Sequence, residues 1–133
     1  MNQDSIINSD FAPAPVGAYP HARRVGDLLF LSGIGARIPD SEKIPDGIEA
    51  QTEQVIENLT AVLMASGCSL ADVVDVTVFL VDMDGDFAGY NKIYGKHFAG
   101  IQAARTTIAI RALPTPIAVE FKVVALVPAA EKA

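Results

Sequence analysis

Residues 105–127 read RTTIAIR, then ALPTP, then IAVEFKVVALV, and this stretch determines most of the expected fold. Its two outer segments are rich in β-branched and apolar residues, which are typical of strands. Because a short connection with two prolines joins them, we expect two strands that pair with each other. Arg105 opens the first segment and Glu120 lies inside the second. Opposite charges on so apolar a framework need partners, since an unpaired buried charge is costly.

Arg105 and Glu120 have the chemistry of a site for a small carboxylic acid. A guanidinium group presents a planar fork of donors that matches a carboxylate bidentately. A carboxylate in a partly dry cleft can orient or deprotonate a water molecule. The alternative is structural, with Arg105 pairing with Glu120 across the expected hairpin. From these residues alone both interpretations stay open.

The remaining patterns predict one α+β domain over residues 1–133. The expected elements, in chain order, are a strand at 28–32, a helix from an Asp46 cap to Gly67, a strand at 73–81, a helix from Asp84 or Asp86 to Gly100, and the two strands of the C-terminal stretch. Two helices cannot cover both faces of such a sheet, so we expect them to share one face. The other face is then left for partner subunits.

Composition and charge exclude several classes of function. A net charge of -6 and a pI near 4.7 argue against a nucleic-acid groove, which requires a basic face. No apolar run approaches the ~20 residues that span a membrane, so no membrane partner is expected. A single cysteine and a polar start indicate a cytoplasmic protein. Half of the residues are apolar, and the mean hydropathy of +0.31 favours an oligomer.

Neither a metal site nor a nucleotide site is expected. His21 and His97 are the two histidines, and their spacing does not suit metal ligation. The segment Gly33-Ile34-Gly35 lacks the third glycine of a dinucleotide-binding loop. We therefore expect a protein without a metal or an organic cofactor.

Several short motifs occur along the whole chain, namely GAYPHA at 17–22, LFLSG at 29–33, NL at 58–59, VTVFL at 76–80, NKIY at 91–94, ARTT at 104–107, LP at 113–114 and the glutamate at 120. Taken together, they resemble the RidA-type reactive intermediate deaminases, small enzymes that hydrolyse enamines and imines. The resemblance implies a chorismate-mutase-like α+β fold. It also implies a homotrimer around a central sheet barrel, with clefts between adjacent subunits. Whether two trimers pair into a hexamer stays open.

The same resemblance assigns roles to site residues. It implies that Arg105 grips the substrate carboxylate and that Glu120 handles the attacking water. The residues that would line the cleft are Tyr19, Gly33 and Asn91. Backbone groups near Gly33 and Thr107 are further candidates, since they could bind the polar centre that develops during the reaction. Because an imine beside a carboxylate already hydrolyses in water, positioning carries most of the catalytic burden, and no cofactor is required.

Departures from the family pattern resemble the 2-aminomuconate deaminase branch. Residues 34–37 read IGAR where typical members continue Gln-Ile-Pro, and Thr107 stands where cysteine is frequent. Residues 17–20 read GAYP, followed by His21, where many members carry Gly-Pro-Tyr-Ser. A second substrate carboxylate needs a cation, for which Arg37 is favoured; the other candidates are Arg23, Arg24, Arg111 and His21. The alternatives are a general deaminase of 2-aminoacrylate and 2-imino acids, a small-acid-binding oligomer without turnover, and a structural or chaperone-like oligomer.

Overall fold

Seven strands, two α-helices and one short 3-10 helix at Leu70–Asp72 account for the regular secondary structure of residues 5–128, the part of the chain that the computed structural model describes. Their bounds are β1 Ser5–Ile7, β2 Ala22–Val25, β3 Leu28–Leu31, β4 Ile34–Gly35, α1 Ile48–Ala65, β5 Val73–Leu80, α2 Met83–Phe98, β6 Ala104–Ala109 and β7 Val119–Leu126. The polar start on which the cytoplasmic prediction partly rests lies largely outside the described residues. The predicted order of strands and helices is confirmed.

The strands form one mixed sheet in the order β1-β2-β3-β7-β5-β6, with the short β4 also pairing with β7. β6 runs parallel to β5, whereas the other pairs are antiparallel. The predicted pairing of β6 with β7 is therefore wrong, because β5 lies between them. The crossover through α2 places β6 beside β5 in parallel, and β7 then takes the opposite edge of β5.

The two helices pack against one face of this sheet, as predicted. β7 alternates strictly between buried and partly exposed side chains, and Phe121 points into the core beneath the helices. The opposite face presents large apolar side chains to solvent. Five of them are between 39 and 49% exposed, namely Val25, Leu28, Phe30, Ile108 and Leu126. An apolar face of this kind is typical of a subunit interface.

The helix starts differ slightly from the sequence prediction. Gly47, not Asp46, precedes the first residue of α1, and its φ of 88° is a conformation that glycine adopts without strain. α2 is capped by Asp82, whose side chain accepts a backbone N–H of the first turn at 3.1 Å. Asp84 and Asp86 instead lie within that turn, where their charge complements the helix dipole.

Candidate active site

The two predicted catalytic residues lie on opposite faces of the sheet. Arg105 is paired with Val76 of β5, which is fully buried beneath the helices. Glu120 is paired with Phe79 of the same strand. Because paired residues share a face and faces alternate along a strand, positions 76 and 79 point to opposite sides. The structural interpretation, an Arg105–Glu120 ion pair, is therefore wrong, and the site residues form two separate groups.

The Arg105 group comprises Arg105 and the side chains of α2 around it. An N–H of its guanidinium, at Nη1, donates to Oδ1 of Asn91 at 2.8 Å. The guanidinium carbon lies 4.7 Å from the ring centroid of Tyr94, 5.3 Å from that of Tyr90 and 6.0 Å from that of Phe87. Contacts of this kind hold a cation by its attraction to the aromatic faces. Arg105 itself is exposed, so its charge is held in place and remains accessible to a ligand.

Thr107 lies two residues beyond Arg105, on the same face of β6. Its hydroxyl is 2.7 Å from the hydroxyl of Tyr90, which is fully buried. Burial raises the pKa of Tyr90, so its phenol stays protonated at neutral pH. The Thr107 side chain thus anchors the aromatic wall beside Arg105. Its hydroxyl is engaged by Tyr90, whereas the backbone at Thr107 is the part that was expected to interact with a ligand.

Tyr90 and Tyr94 were not predicted as site residues. With Phe87 they recur at the spacing of one helical face, which sequence patterns cannot distinguish from an ordinary core face. The Tyr94 hydroxyl is buried without a hydrogen-bond partner among residues 5–128. Burial also raises the pKa of this phenol.

The Glu120 group lies on the face that the helices leave uncovered. The Glu120 side chain is half-buried and leans over Gly33, where an added Cβ would lie 2.4 Å from Oε2. Position 33 therefore accepts no larger residue without moving the carboxylate. Within the described part of the chain, no group hydrogen-bonds or pairs with this carboxylate. Burial raises the pKa of Glu120, which brings it closer to the range useful for proton transfer at neutral pH.

A small cavity beside Glu120 is lined by Tyr19, Gly33 and Arg37 among others. Its volume of about 40 Å³ exceeds what one water molecule needs, and it is far smaller than the ~300 Å³ or more of typical ligand pockets. The cavity can therefore hold a water molecule at the carboxylate. A whole substrate requires space outside this chain's own cavity.

Tyr19 and Arg37 are both held by the segment that precedes them in the chain. The Tyr19 hydroxyl accepts the backbone N–H of Val16 at 3.2 Å, and Nη2 of Arg37 donates to the carbonyl oxygen of Ala14 at 2.7 Å. The backbone carbonyl of Arg37 accepts the Nδ2 amide of the buried Asn58 at 2.8 Å. These bonds place a phenol and a cation on the cavity wall.

His21 lies behind this wall and is buried. Its Nδ1 accepts the backbone N–H of Ser9 at 2.9 Å, and its Nε2 is 2.7 Å from the carbonyl oxygen of Pro13. Both ring nitrogens are thus occupied by the protein itself. His21 adjoins the predicted site without offering a free nitrogen to a substrate.

Lys122 is a further charged residue that the sequence interpretation did not include. It occupies the next same-face position of β7 after Glu120 and donates to the carbonyl oxygen of Leu31. Burial lowers the pKa of its ammonium group. Its position in an alternating strand gave no sequence signal beyond that of an ordinary solvent-facing lysine.

Residues 5–128 contain neither a cluster of metal-ligating side chains nor a membrane-spanning helix. Among residues 5–128, no three His, Cys, Asp or Glu side chains are grouped as a metal site. Neither α1 nor α2 combines the length and apolar character that crossing a membrane requires.

This chain is similar to one known protein family and to several of its members. Residues 10–127 match the family model described as Endoribonuclease L-PSP. The chain is 34% identical over 122 residues to the 2-iminobutanoate/2-iminopropanoate deaminase of Mus musculus, covering 91% of this chain and 90% of the mouse protein. Two crystal structures are similar. RidA from the Antarctic bacterium Psychrobacter sp. has a TM-score of 0.87 and 36% identity, covering 92% of this chain and 98% of that one. E. coli TdcF with bound serine has a TM-score of 0.85 and 30% identity, with the same two coverages.

Proposed function

This chain belongs to the RidA-type family, whose model is described as Endoribonuclease L-PSP, and on that premise we propose that it hydrolytically deaminates 2-enamine and 2-imino acids. The proposed preferred substrate is 2-aminomuconate, which would yield the 2-oxo acid and ammonia. The observation that carries the proposal is the pair of charge groups. Arg105 is fixed and accessible, whereas Glu120 is half-buried beside a water-sized cavity and has no hydrogen-bond or ion-pair partner among residues 5–128.

The proposed chemistry assigns one task to each group. The enamine tautomerises to an imine, and Arg105 binds the C1 carboxylate through two charge-assisted hydrogen bonds. Glu120 accepts a proton from the water molecule that attacks C2 of the imine in its protonated, iminium form, which gives a carbinolamine. The protonated Glu120 then returns that proton to the nitrogen. As the C–N bond breaks to release ammonia, Glu120 takes the proton of the C2 hydroxyl, which leaves the 2-oxo acid, and passes it to solvent in balance with the proton that the imine took up. General-base positioning of this kind contributes ~10²–10⁴-fold.

Completion of the site by a second copy of the chain is part of the proposal. Arg105 and Glu120 lie on opposite faces of one sheet, so one chain cannot bring them to the same substrate. In the proposed homotrimer, the Arg105 group of one subunit meets the Glu120 group of its neighbour. The exposed apolar face described above supports such an assembly.

Mixed oligomers test this arrangement directly. Arg105→Ala and Glu120→Gln should each be inactive alone. When the two are co-expressed in equal amounts, random assembly should restore about a quarter of the sites, because each site takes one residue from each of two neighbours. No recovery in verified mixed oligomers would show that the two residues do not act together across an interface.

The choice of a dicarboxylate follows from Arg37. It places a cation on the same cavity wall as Glu120, whereas a monocarboxylate held by Arg105 needs no second cation. The kcat/KM for 2-aminomuconate should therefore exceed that for 2-aminoacrylate. Arg37→Ala should reduce this ratio by roughly 10- to 150-fold, the effect of losing a charged hydrogen bond worth ~1.5–3 kcal/mol. Arg24→Ala, which removes an arginine bonded to its own turn at Gly26, is the matched control.

Equal kcat/KM values of the wild type for the two substrates would instead favour a general deaminase of 2-aminoacrylate and related imino acids.

A ribonuclease activity, as the family description states, is less compatible with this chain. Its net charge of -6 repels a polyanion, and RNA binding depends on neutralising phosphates.

A further inference from the structure

The N-terminal arm, defined here as residues 8–16, contains no helix or strand, and the buried side chain of His21 is one of the groups that tie it to the sheet. We propose that neutral His21 is a positioning residue that fixes this arm and, through it, the Tyr19 hydroxyl and the Arg37 guanidinium. This inference rests on the proposed function, because those two groups line the Glu120 cavity.

Both ring nitrogens of His21 contact the arm, and the partners determine its protonation. The backbone nitrogen of Ser9, 2.9 Å from Nδ1, can only donate, so Nδ1 carries no proton. The carbonyl oxygen of Pro13, 2.7 Å from Nε2, can only accept, so Nε2 carries one. The arm also receives a bond from the His21 backbone, whose N–H donates to Oδ1 of Asn8 at 3.3 Å. These contacts assign a single neutral tautomer.

The arm in turn contacts two groups of the site through its own backbone. Ala14 accepts the bond from Arg37, and Val16 donates to the Tyr19 hydroxyl. Because these arm residues follow Pro13 directly, loss of the His21–Pro13 contact frees the backbone that holds both groups. His21 therefore acts on substrate binding through the arm, without touching the substrate.

Protonation of His21 would disrupt this arrangement. A second ring N–H would face the Ser9 N–H, and two donors cannot bond to each other. Ionisable groups near the ring include Tyr19 and Arg37, which line the cavity beside it, and Asp10, which is exposed and follows Ser9 on the arm. The doubly protonated ring should therefore release the arm.

The test measures kcat and KM for 2-aminomuconate from about pH 8 to about pH 5. His21→Asn keeps an acceptor near the position of Nδ1 that does not titrate, and His21→Leu removes both contacts at a similar size. His97→Asn is the matched control. His97 is the other histidine of the chain and bonds Glu53 at 2.6 Å between the two helices, away from the arm.

For the wild type and His97→Asn, KM should rise about tenfold towards low pH, as expected for losing a buried hydrogen bond. His21→Asn, which keeps the Ser9 contact and loses the Pro13 contact, should have a KM that is raised at every pH and shows no such rise towards low pH. His21→Leu should show the high KM at every pH with kcat changed by less than about twofold. An unaltered KM profile in His21→Asn would overturn the proposal, as would a wild-type KM in His21→Leu. If His21→Leu does not fold, the pH profile of KM in His21→Asn still decides whether the proposal holds.

A second readout requires no activity. The NMR shift of the Ser9 amide should titrate with the same midpoint as the His21 imidazole. A Ser9 amide that does not respond while the imidazole titrates would overturn the inference. Failure of the wild type to deaminate any enamine acid would instead refute the proposed function and leave this NMR test intact.

Discussion

Replacing Arg105 by alanine should abolish most catalysis while leaving the fold intact. In the structure this residue makes no ion pair with Glu120, and its partners are Asn91 and the aromatic rings of α2. The mutation therefore removes a ligand-binding group from an exposed position. It does not leave a buried charge without its counter-charge.

The contacts of Arg105 give the expected magnitudes. Two charge-assisted hydrogen bonds to a substrate carboxylate, at ~1.5–3 kcal/mol each, amount to ~3–6 kcal/mol, so kcat/KM should fall about 10²- to 10⁴-fold. The contribution to stability is smaller. One exposed hydrogen bond at 2.8 Å and the cation–π contacts together contribute about 1–2 kcal/mol to the free energy of unfolding.

The assay pairs steady-state deamination with urea unfolding for the wild type, Arg105→Ala, Arg105→Lys and the control Arg24→Ala. Arg105→Lys keeps the charge and loses the planar fork, so its kcat/KM should lie between those of the wild type and the alanine variant. A loss of ~3–5 kcal/mol in the free energy of unfolding for Arg105→Ala would refute this reasoning. That magnitude is typical of breaking a buried ion pair, which would make the arginine structural.

Three further predictions concern the Glu120 group and the absence of a cofactor. Glu120→Gln should lower turnover ~10²–10⁴-fold. It should also raise the melting temperature at neutral pH, because burial raises the pKa of Glu120 and ionisation therefore costs the folded state stability. The melting temperatures of the wild type and the variant should converge below about pH 4, where the carboxyl is protonated in both the folded and the unfolded state. A variant less stable than the wild type at neutral pH would contradict this. Gly33→Ala should displace the Glu120 carboxylate and lower kcat about 10²-fold. The control Gly95→Ala should leave kcat unchanged, because an added Cβ there meets nothing within 4 Å. Equal kcat values for the two variants would show that the contact between position 33 and Glu120 is unimportant. Deamination should survive exhaustive chelation, and a loss that is reversed by one added metal would show that a metal takes part.

The elements of the fold were predictable because each has a strong local pattern. The β-branched run at 73–80 and the alternation at 119–126 determine strands, and the apolar spacing between 48 and 65 determines a helix. The pairing of β6 was not predictable in this way. A local pattern specifies that a segment is a strand, but the partner depends on how α2 crosses the sheet.

For the site, as for the fold, the sequence indicated residue types but not all of their positions in space. The residue types at positions 105 and 120 suggested the proposed chemistry, and the structure brings Tyr19, Gly33 and Arg37 to the cavity beside Glu120. The aromatic residues around Arg105 were missed because core packing and ligand positioning use the same helical spacing. His21 was expected near a substrate carboxylate, but its contacts with the arm depend on long-range folding that no spacing in the sequence encodes.

The interposed strand β5 has a chemical consequence for the two charged residues. In the hairpin expected from sequence, Arg105 would lie close to Glu120, and an adjacent guanidinium lowers the pKa of a carboxyl and weakens it as a base. The same pairing would occupy the donors that a substrate carboxylate needs. With β5 between them, the guanidinium stays accessible against the aromatic rings, and Glu120 keeps a pKa raised by burial. The crossover through α2 thus keeps the two charges from pairing with each other, as the roles proposed for them require.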